Sequence, residues 1–452
     1  MSADTTSARA GSGAWRGRPA GLPGAVPPPS VPLSFLAAAS MGLVACGAAW
    51  AWARQSASID PTANAVVAAV HLGVLATLAT GVLGAAHQFT PVITGRPLRS
   101  IRLARATFAA WLAASWMLPL GVATGQVVVT ATSGALAGAA VVLLAANLGP
   151  ALSVRGKGTP VTALRFGVVG AVATGFLGVA FVGDRQGNWF TLAGHVDLAM
   201  GVVGLFGWLG ITYIGVAEKL WPMFMLAHVP GRRHADRVAV WGSAAGVALT
   251  APGLAWDIPG LAWAGASVLC VALGSHVASL LVHVRHRRRP ADLHLAFVST
   301  SAAWLPVGAG LSLAGALEVP VHYHTGVALV AAAMVAFGSW LLEALVGHAH
   351  KVVPFIAWSA LRARGTATGP TGKPLMFADL YDHRWATASY VTVTCGAAAL
   401  CVGLAVSVPS VIAVGGGLLA LTGLILAVNL SWIPIHMSSA APPGHSPADQ
   451  RS

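Results

Sequence analysis

The sequence predicts an all-α integral membrane protein of about 12 transmembrane helices in three four-helix pseudo-repeats. Three observations carry this prediction. Charged residues are 9% of the 452 positions and hydrophobic ones 56%, whereas an ordinary soluble domain has roughly 25% charged residues. So few charges cannot cover a surface that faces water. Apolar runs of the length needed to span a bilayer, roughly 17–25 residues, recur along the whole chain. Three helix ends also repeat one Gly and Pro pattern at near-equal spacing.

Residues 1–30 are rich in Gly, Pro, Ala, Ser and Arg, have no apolar core, and are expected to form a disordered cytoplasmic tail. The first quartet of apolar runs is 31–53, 63–93, 108–129 and 135–149, the last being the shortest. The run at 31–53 is too long and too far from the start for a simple cleaved signal peptide. The second quartet is 161–182, 191–226, 238–255 and 261–284. The third is 293–317, 325–353, 385–408 and 411–433, with a soft boundary between the final two. One membrane domain, 31–437, is therefore expected, with pseudo-repeats at about 31–150, 160–284 and 292–433 and a second disordered cytoplasmic tail at 438–452.

The net charge of +13 is a topological signal. With both termini inside and alternating loops, 24 of the 26 Lys and Arg residues fall on the inner side, leaving Arg54 and Arg185 outside. This positive-inside bias fits an even number of spans in the plasma (inner) membrane, with N- and C-termini cytoplasmic. The basic residues then imply contact with anionic membrane lipid and argue against nucleic acid as a partner. All four cysteines, Cys46, Cys270, Cys395 and Cys401, lie in apolar runs, and C-x-x-C and C-x-x-C-H are absent. Disulfides, structural zinc and covalent c-type haem are accordingly not expected. The chain also has no phosphate loop, nucleophile elbow or H-E-x-x-H in context.

The repeat is read from Gly84-AAHQFT-Pro91, Gly215-VAEKLW-Pro222 and Gly347-HAHKVV-Pro354. The glycines are 131 and 132 residues apart, a step that holds four helices, and each pattern closes the second helix of its quartet. Four residues before each proline stand His87, Glu218 and His350, which suggest a polar ring or proton-entry site.

Sixteen histidines are present. His71, His195, His322 and His324 all fall toward the outer side, on or beside helices 2, 6 and 10. A neutral imidazole suits haem iron, copper and zinc, and ionisable groups at membrane depth are costly unless functional or paired. His322 and His324 would face nearly opposite ways on a helix, about 200° apart. A second set, His87, His228, His234, His283, His286, His348 and His350, lies among inner-side arginines and reads as solvated, headgroup-facing positions. Trp116, Trp189, Trp256, Trp263 and Trp432 lie near run ends and fit interfacial belts.

This pattern resembles subunit I of the haem–copper oxidase superfamily, which includes cytochrome oxidases and nitric oxide reductases. Helix 2, HLGVLATLATGVLGAAHQFTPVITG, and helix 6, HVDLAMGVVGLFGWLGITYIGVAEKLWPMF, look like its shorter, divergent relatives, and the resemblance spans roughly residues 32–433. It implies b-type haem as cofactor, with His71 a low-spin haem ligand. His322 and His324 would divide between that haem and a second one, and His195 stands at a copper-ligand position. It implies electron transfer, with binding or reduction of O2 or NO at an open haem. An electron-donor protein or quinol and an additional subunit would be the partners. The copper site is incomplete: where the family carries a His-His pair near helix 7, this chain reads Ala255-Trp256-Asp257-Ile258-Pro259, and the family's helix-6 tyrosine position is Ala199. Depth also differs along the chain. His71 lies 20 residues before its proline and His324 lies 30, a separation of roughly 15 Å at helical rise. Two other classes fit the same residues: a transporter, and a metal- or haem-assembly or nitric-oxide-response membrane protein without redox turnover.

Overall fold

A computed structural model describes residues 26–439, apart from 157, 186–188, 190, 193–194, 230–232 and 364–373. Residues 1–25 and 440–452, most of the two expected tails, lie outside the described residues. The described chain holds twelve helices long and apolar enough to cross a membrane. The first quartet is α1 (Ser30–Ile59), α2 (Asn64–Thr94), α3 (Ile101–Thr124) and α4 (Val127–Leu152). The second is α5 (Thr159–Arg185), α6 (Val196–Met225), α7 (Arg233–Ala255) and α8 (Pro259–Arg285). The third is α9 (Leu293–Glu318), α10 (Tyr323–Ala363), α11 (His383–Ala405) and α12 (Pro409–Ser439). The chain is thus an all-α, multi-pass membrane protein whose outer faces contact lipid.

Local chemistry sets the helix ends. The apolar run at 108–129 breaks early because Gly125 adopts φ 66°, so α3 stops at Thr124 and α4 starts at Val127, eight residues before the expected run. Ser407 turns the chain at φ 54°, which separates α11 from α12 within one continuous apolar stretch. Side chains accept the first free N–H groups of three helices: Ser100 at α3, Asp292 at α9 and Asp382 at α11. The three repeat prolines lie inside their helices. α2 ends three residues past Pro91 and α6 three past Pro222, but α10 runs on nine residues past Pro354 to Ala363. The α2 and α6 ends are closed alike: the N–H groups of Gly95 (φ 71°) and Leu226 (φ 50°) return to the carbonyls of Pro91 and Pro222.

Short connections make successive helices antiparallel, so the arginine-bearing segments gather at one end of the bundle, called here the basic end. The second helix of each quartet is central: α10 packs against the middles of α2 and α6, and α6 is the most enclosed span of the twelve. The third and fourth helices form outer hairpins, α3/α4, α7/α8 and α11/α12, while α12 packs on α1. That α1–α12 contact is made by small residues. A Cβ on Gly47 would lie 2.3 Å from the Ala420 nitrogen, and one on Gly416 would lie 2.5 Å from the Gly47 carbonyl. With no hydrophobic drive between helices in lipid, such backbone approach supplies the packing energy.

The three quartets share further details. Each repeat glycine faces the first helix of its own quartet, Gly84 against Phe35, Gly215 against Ala163 and Gly347 against Phe297. Two π-helical segments interrupt α2 and α6, at Leu72–Ala79 and Val203–Gly210, again 131 residues apart. In each, a first-helix glycine sits over the carbonyl of the fifth residue: Gly42 over Ala76, Gly170 over Gly207. The widened turns free carbonyls from the i−4 pattern, and hydroxyl and indole groups take them up. Thr77 donates to Leu72 (3.2 Å), Thr80 to Leu75 (2.8 Å) and Trp111 to both Leu75 (3.3 Å) and the Thr80 hydroxyl (3.0 Å). In the third quartet α10 is α-helical throughout.

Candidate functional site

His71 closes the α-helical first part of α2, directly before the π-helical segment. It is half-buried, and its Nδ1 lies 2.7 Å from the Val67 carbonyl. A carbonyl has no proton to give, so Nδ1 carries the hydrogen and the Nε2 lone pair is left for a ligand. This is the arrangement in which second-shell hydrogen bonds fix a metal-binding imidazole. The surroundings are close-packed: a Cβ on Gly73 would meet Cys46 Sγ at 3.1 Å, and that thiol lies 3.7 Å from the Ala69 carbonyl.

The other three expected ligands lie at the rim opposite the basic end. His195 is exposed and precedes α6; its backbone N–H donates to the Leu254 carbonyl (2.9 Å) and its carbonyl accepts from Ala199. His322 is exposed, outside the first turn of α10, and pairs with Glu318 (Nδ1 to Oε2, 2.9 Å). His324 is exposed in that first turn, its ring 5.8 Å from that of Tyr323. Because α10 starts at Tyr323, the H-Y-H sequence straddles a helix start, and the opposite-faces geometry expected for two helical residues does not apply. His71 is seven residues into α2, roughly 10 Å deeper than a helix start. The imidazoles of His71, His322 and His324 meet the Val67 carbonyl, Glu318 and Tyr323, and His195 is tied in through its backbone. Among the described residues no group of three or more His, Cys, Asp or Glu converges as a metal site. The tautomer at His71 leaves Nε2 able to donate to a metal, whereas a three-ligand centre has no such cluster among the described residues.

A second constellation lies between the second and third quartets, toward the basic end. His276 of α8, 2% exposed, packs its ring 4.7 Å from Trp221, 5.6 Å from Tyr213 and 6.0 Å from Trp340. His348 lies 5.8 Å from Tyr213 and edge-on to His294 at 4.8 Å. Its Nδ1 is held by the Ala344 carbonyl (2.7 Å), while the Nε2 atoms of His294 and His348 are buried with no hydrogen-bond partner. The Nε1 groups of Trp221 and Trp340 are likewise unpartnered. Below them the column reaches the Lys351–Asp292 ion pair at the surface, with Lys351 above the Phe224 ring. Beside it, fully buried Glu343 accepts from Trp304 Nε1 (2.8 Å), with the Thr300 and Thr394 hydroxyls flanking the carboxyl. Buried polar atoms left unpaired by protein ask for a ligand, water or proton-handling role.

Sequence reasoning placed this region poorly. His87, His283 and His350 are buried rather than solvated, whereas His228, His234 and His286 are exposed as expected. His276 and His294 carry no signal in the sequence, because a lone His inside an apolar run has no periodicity. His87, Glu218 and His350 do not meet as a ring, because each is engaged inside its own quartet. His87 stacks on Phe35 at 5.4 Å and Glu218 accepts from the Thr159 hydroxyl. His350 lies 3.4 Å from Asn429 Nδ2.

No family model matches the chain, and no curated protein is similar to it in sequence.

Proposed function

We propose that this chain is a haem-binding electron-transfer protein of the plasma membrane, its basic end and both termini facing the cytoplasm. The observation that carries the reading is His71: a half-buried imidazole inside a span, with its tautomer set by Val67 and its Nε2 lone pair free. The π-helical segment that follows supports it, since such segments often accompany functional sites. Haem would supply the one-electron chemistry. Val67 holds the His71 proton, Trp111, Thr77 and Thr80 hold the backbone behind it, and Gly73 against Cys46 keeps water from that side. The rim histidines His195, His322 and His324 would supply a second imidazole to that haem, b-type being the form that needs no cysteine attachment. The haem would bind O2 or NO if one coordination site stayed open. The donor would be a redox protein or quinol.

The visible spectrum of purified protein, air-oxidised and dithionite-reduced, tests this directly. The expected result is a Soret band with sharp α and β bands on reduction, lost in His71→Ala. The buried His276, His294 and His348 column favours a second reading, a histidine-lined proton or metal transporter. Colourless protein with ion flux abolished by His348→Ala would replace the first reading with that one.

A further inference from the structure

At the basic end, α5, α7 and the turn after α4 enclose an open cavity of about 220 Å3. Its wall carries two guanidinium groups, Arg165 and Arg237, with Thr159, Thr162 and Trp241. Arg165 is fixed in place: Nε donates to the Leu152 carbonyl (2.8 Å) and Nη2 to that of Val154 (2.7 Å). Donors remain on its outer side, because a guanidinium has five N–H groups. Arg237 and Trp241 are four residues apart and therefore share one face of α7. Trp241 is 56% exposed and meets Phe166 of α5 edge-on at 5.1 Å, an aromatic pair standing where headgroups meet acyl chains. The carboxylates beside the cavity have protein partners: Glu218 of α6 accepts from the Thr159 hydroxyl in its wall, and Asp236 of α7 accepts from Ser279 of α8 (3.3 Å).

We propose that this cavity binds the phosphate of an anionic phospholipid headgroup from the leaflet at the basic end. Guanidinium forks match phosphate oxygens in pairs, and basic pockets between transmembrane helices are where anionic headgroups are held. The volume is below the 300–1,000 Å3 typical of a whole small-molecule site. It suits a headgroup whose chains lie along the lipid-facing sides of α5 and α7, beside Trp241. Two guanidinium groups in one wall favour a net negative headgroup over a zwitterionic one, whose own cation they repel. The inference does not depend on haem.

Native mass spectrometry of the full chain in detergent, titrated with phosphatidylglycerol, phosphatidylcholine or inorganic phosphate, tests it. One phosphatidylglycerol per chain is expected, retained at least about tenfold more tightly than phosphatidylcholine. Arg237→Glu should abolish that retention, Arg237→Lys should keep part of it, and Arg105→Gln, at the same end but outside the cavity, should leave it unchanged. The unchanged size-exclusion profile of Arg237→Lys guards against a folding artefact. Equal retention of the two lipids, equal weakening by Arg105→Gln and Arg237→Glu, or displacement of the lipid by inorganic phosphate at equal concentration would each overturn the proposal.

Discussion

The close approach of α1 to the π-helical segment of α2 is the contact to challenge first, because it stands five residues from His71. A Cβ on Gly42 would lie 2.2 Å from the Ala76 carbonyl oxygen, where ordinary contact begins at 3.4 Å. Gly42→Ala must therefore part the helices by about 1.2 Å, the difference between those distances, and overpacking of this kind costs roughly 1–3 kcal/mol. Gly170→Ala poses the same problem in the second quartet, at 2.1 Å from the Gly207 carbonyl. Gly138→Ala in α4 is the control: its Cβ meets nothing within 4 Å, and Ala is favoured over Gly in a helix by about 1 kcal/mol. Thermal unfolding of each variant in detergent, followed by size-exclusion chromatography, should rank Gly138→Ala at or above wild type and the other two several degrees below. If haem sits at His71, Gly42→Ala should also broaden the reduced α band while Gly170→Ala leaves it sharp. Equal unfolding temperatures for all three variants would show that the glycines do not set the helix approach, and the account of the π-helical segments would fail with them.

Further perturbations probe other joints. Leu226 pays a left-handed conformation that Gly95 adopts freely at the equivalent helix end, so Leu226→Gly should stabilise by about 1 kcal/mol, read as a higher unfolding midpoint. Trp304→Phe strips the indole donor from buried Glu343 and should cost about 1–3 kcal/mol. Adding Glu343→Leu should recover much of that, since removing both partners is milder than orphaning one, and a double-mutant cycle reads the difference. Asn429→Ala should destabilise more than Asn147→Ala. Asn147 accepts only the Ser100 N–H by its side chain, whereas Asn429 accepts from Asp382, donates to the Asp382 carbonyl and lies beside His350. Tyr381, outside the spans, has its phenol pushed above the usual 10.0 by burial and then by the Asp292 carboxylate. The unfolded chain ionises first, so stability should fall as pH rises past 10.0, and Tyr381→Phe should flatten that fall in a pH series of unfolding midpoints.

The number of spans was legible because a bilayer imposes a length and an apolar composition on every helix, whatever its neighbours. The same signal located the second helix of each quartet, since Gly84, Gly215 and Gly347 are needed where Phe35, Ala163 and Phe297 press closest. What it placed late or only softly were breaks inside continuous apolar sequence. The turns at Gly125 and Ser407 depend on single backbone angles, and hydropathy is blind to these. The π-helical segments are blind spots of the same kind: they sit where Gly42 and Gly170 of the neighbouring helices come onto their carbonyls.

The two histidine sets show why the site was harder to read than the fold. Linear position told which end of the bundle each imidazole occupies, but burial is set by rotation about the helix axis. His348 and His350 differ by two residues, so one joins the Tyr213 and His294 cluster while the other turns to Phe297 and Asn429. His283 and His286, three apart, divide for a different reason: α8 ends at Arg285, so His283 packs on the Trp221 cluster while His286 lies past the helix end, exposed. His71 lies several residues inside its span rather than at a helix start, with a fixed tautomer and a rigid backbone behind it. A ligand field needs that combination, whereas an exposed imidazole at a helix start would have to be ordered by the cofactor itself. If the chain holds haem as proposed, replacing His71 should remove it altogether, while replacing His322 or His324 singly should shift its spectrum and leave binding in place. Equal loss of haem in all three variants would mean that the rim is as preorganised as His71, and that the reasoning from burial is wrong.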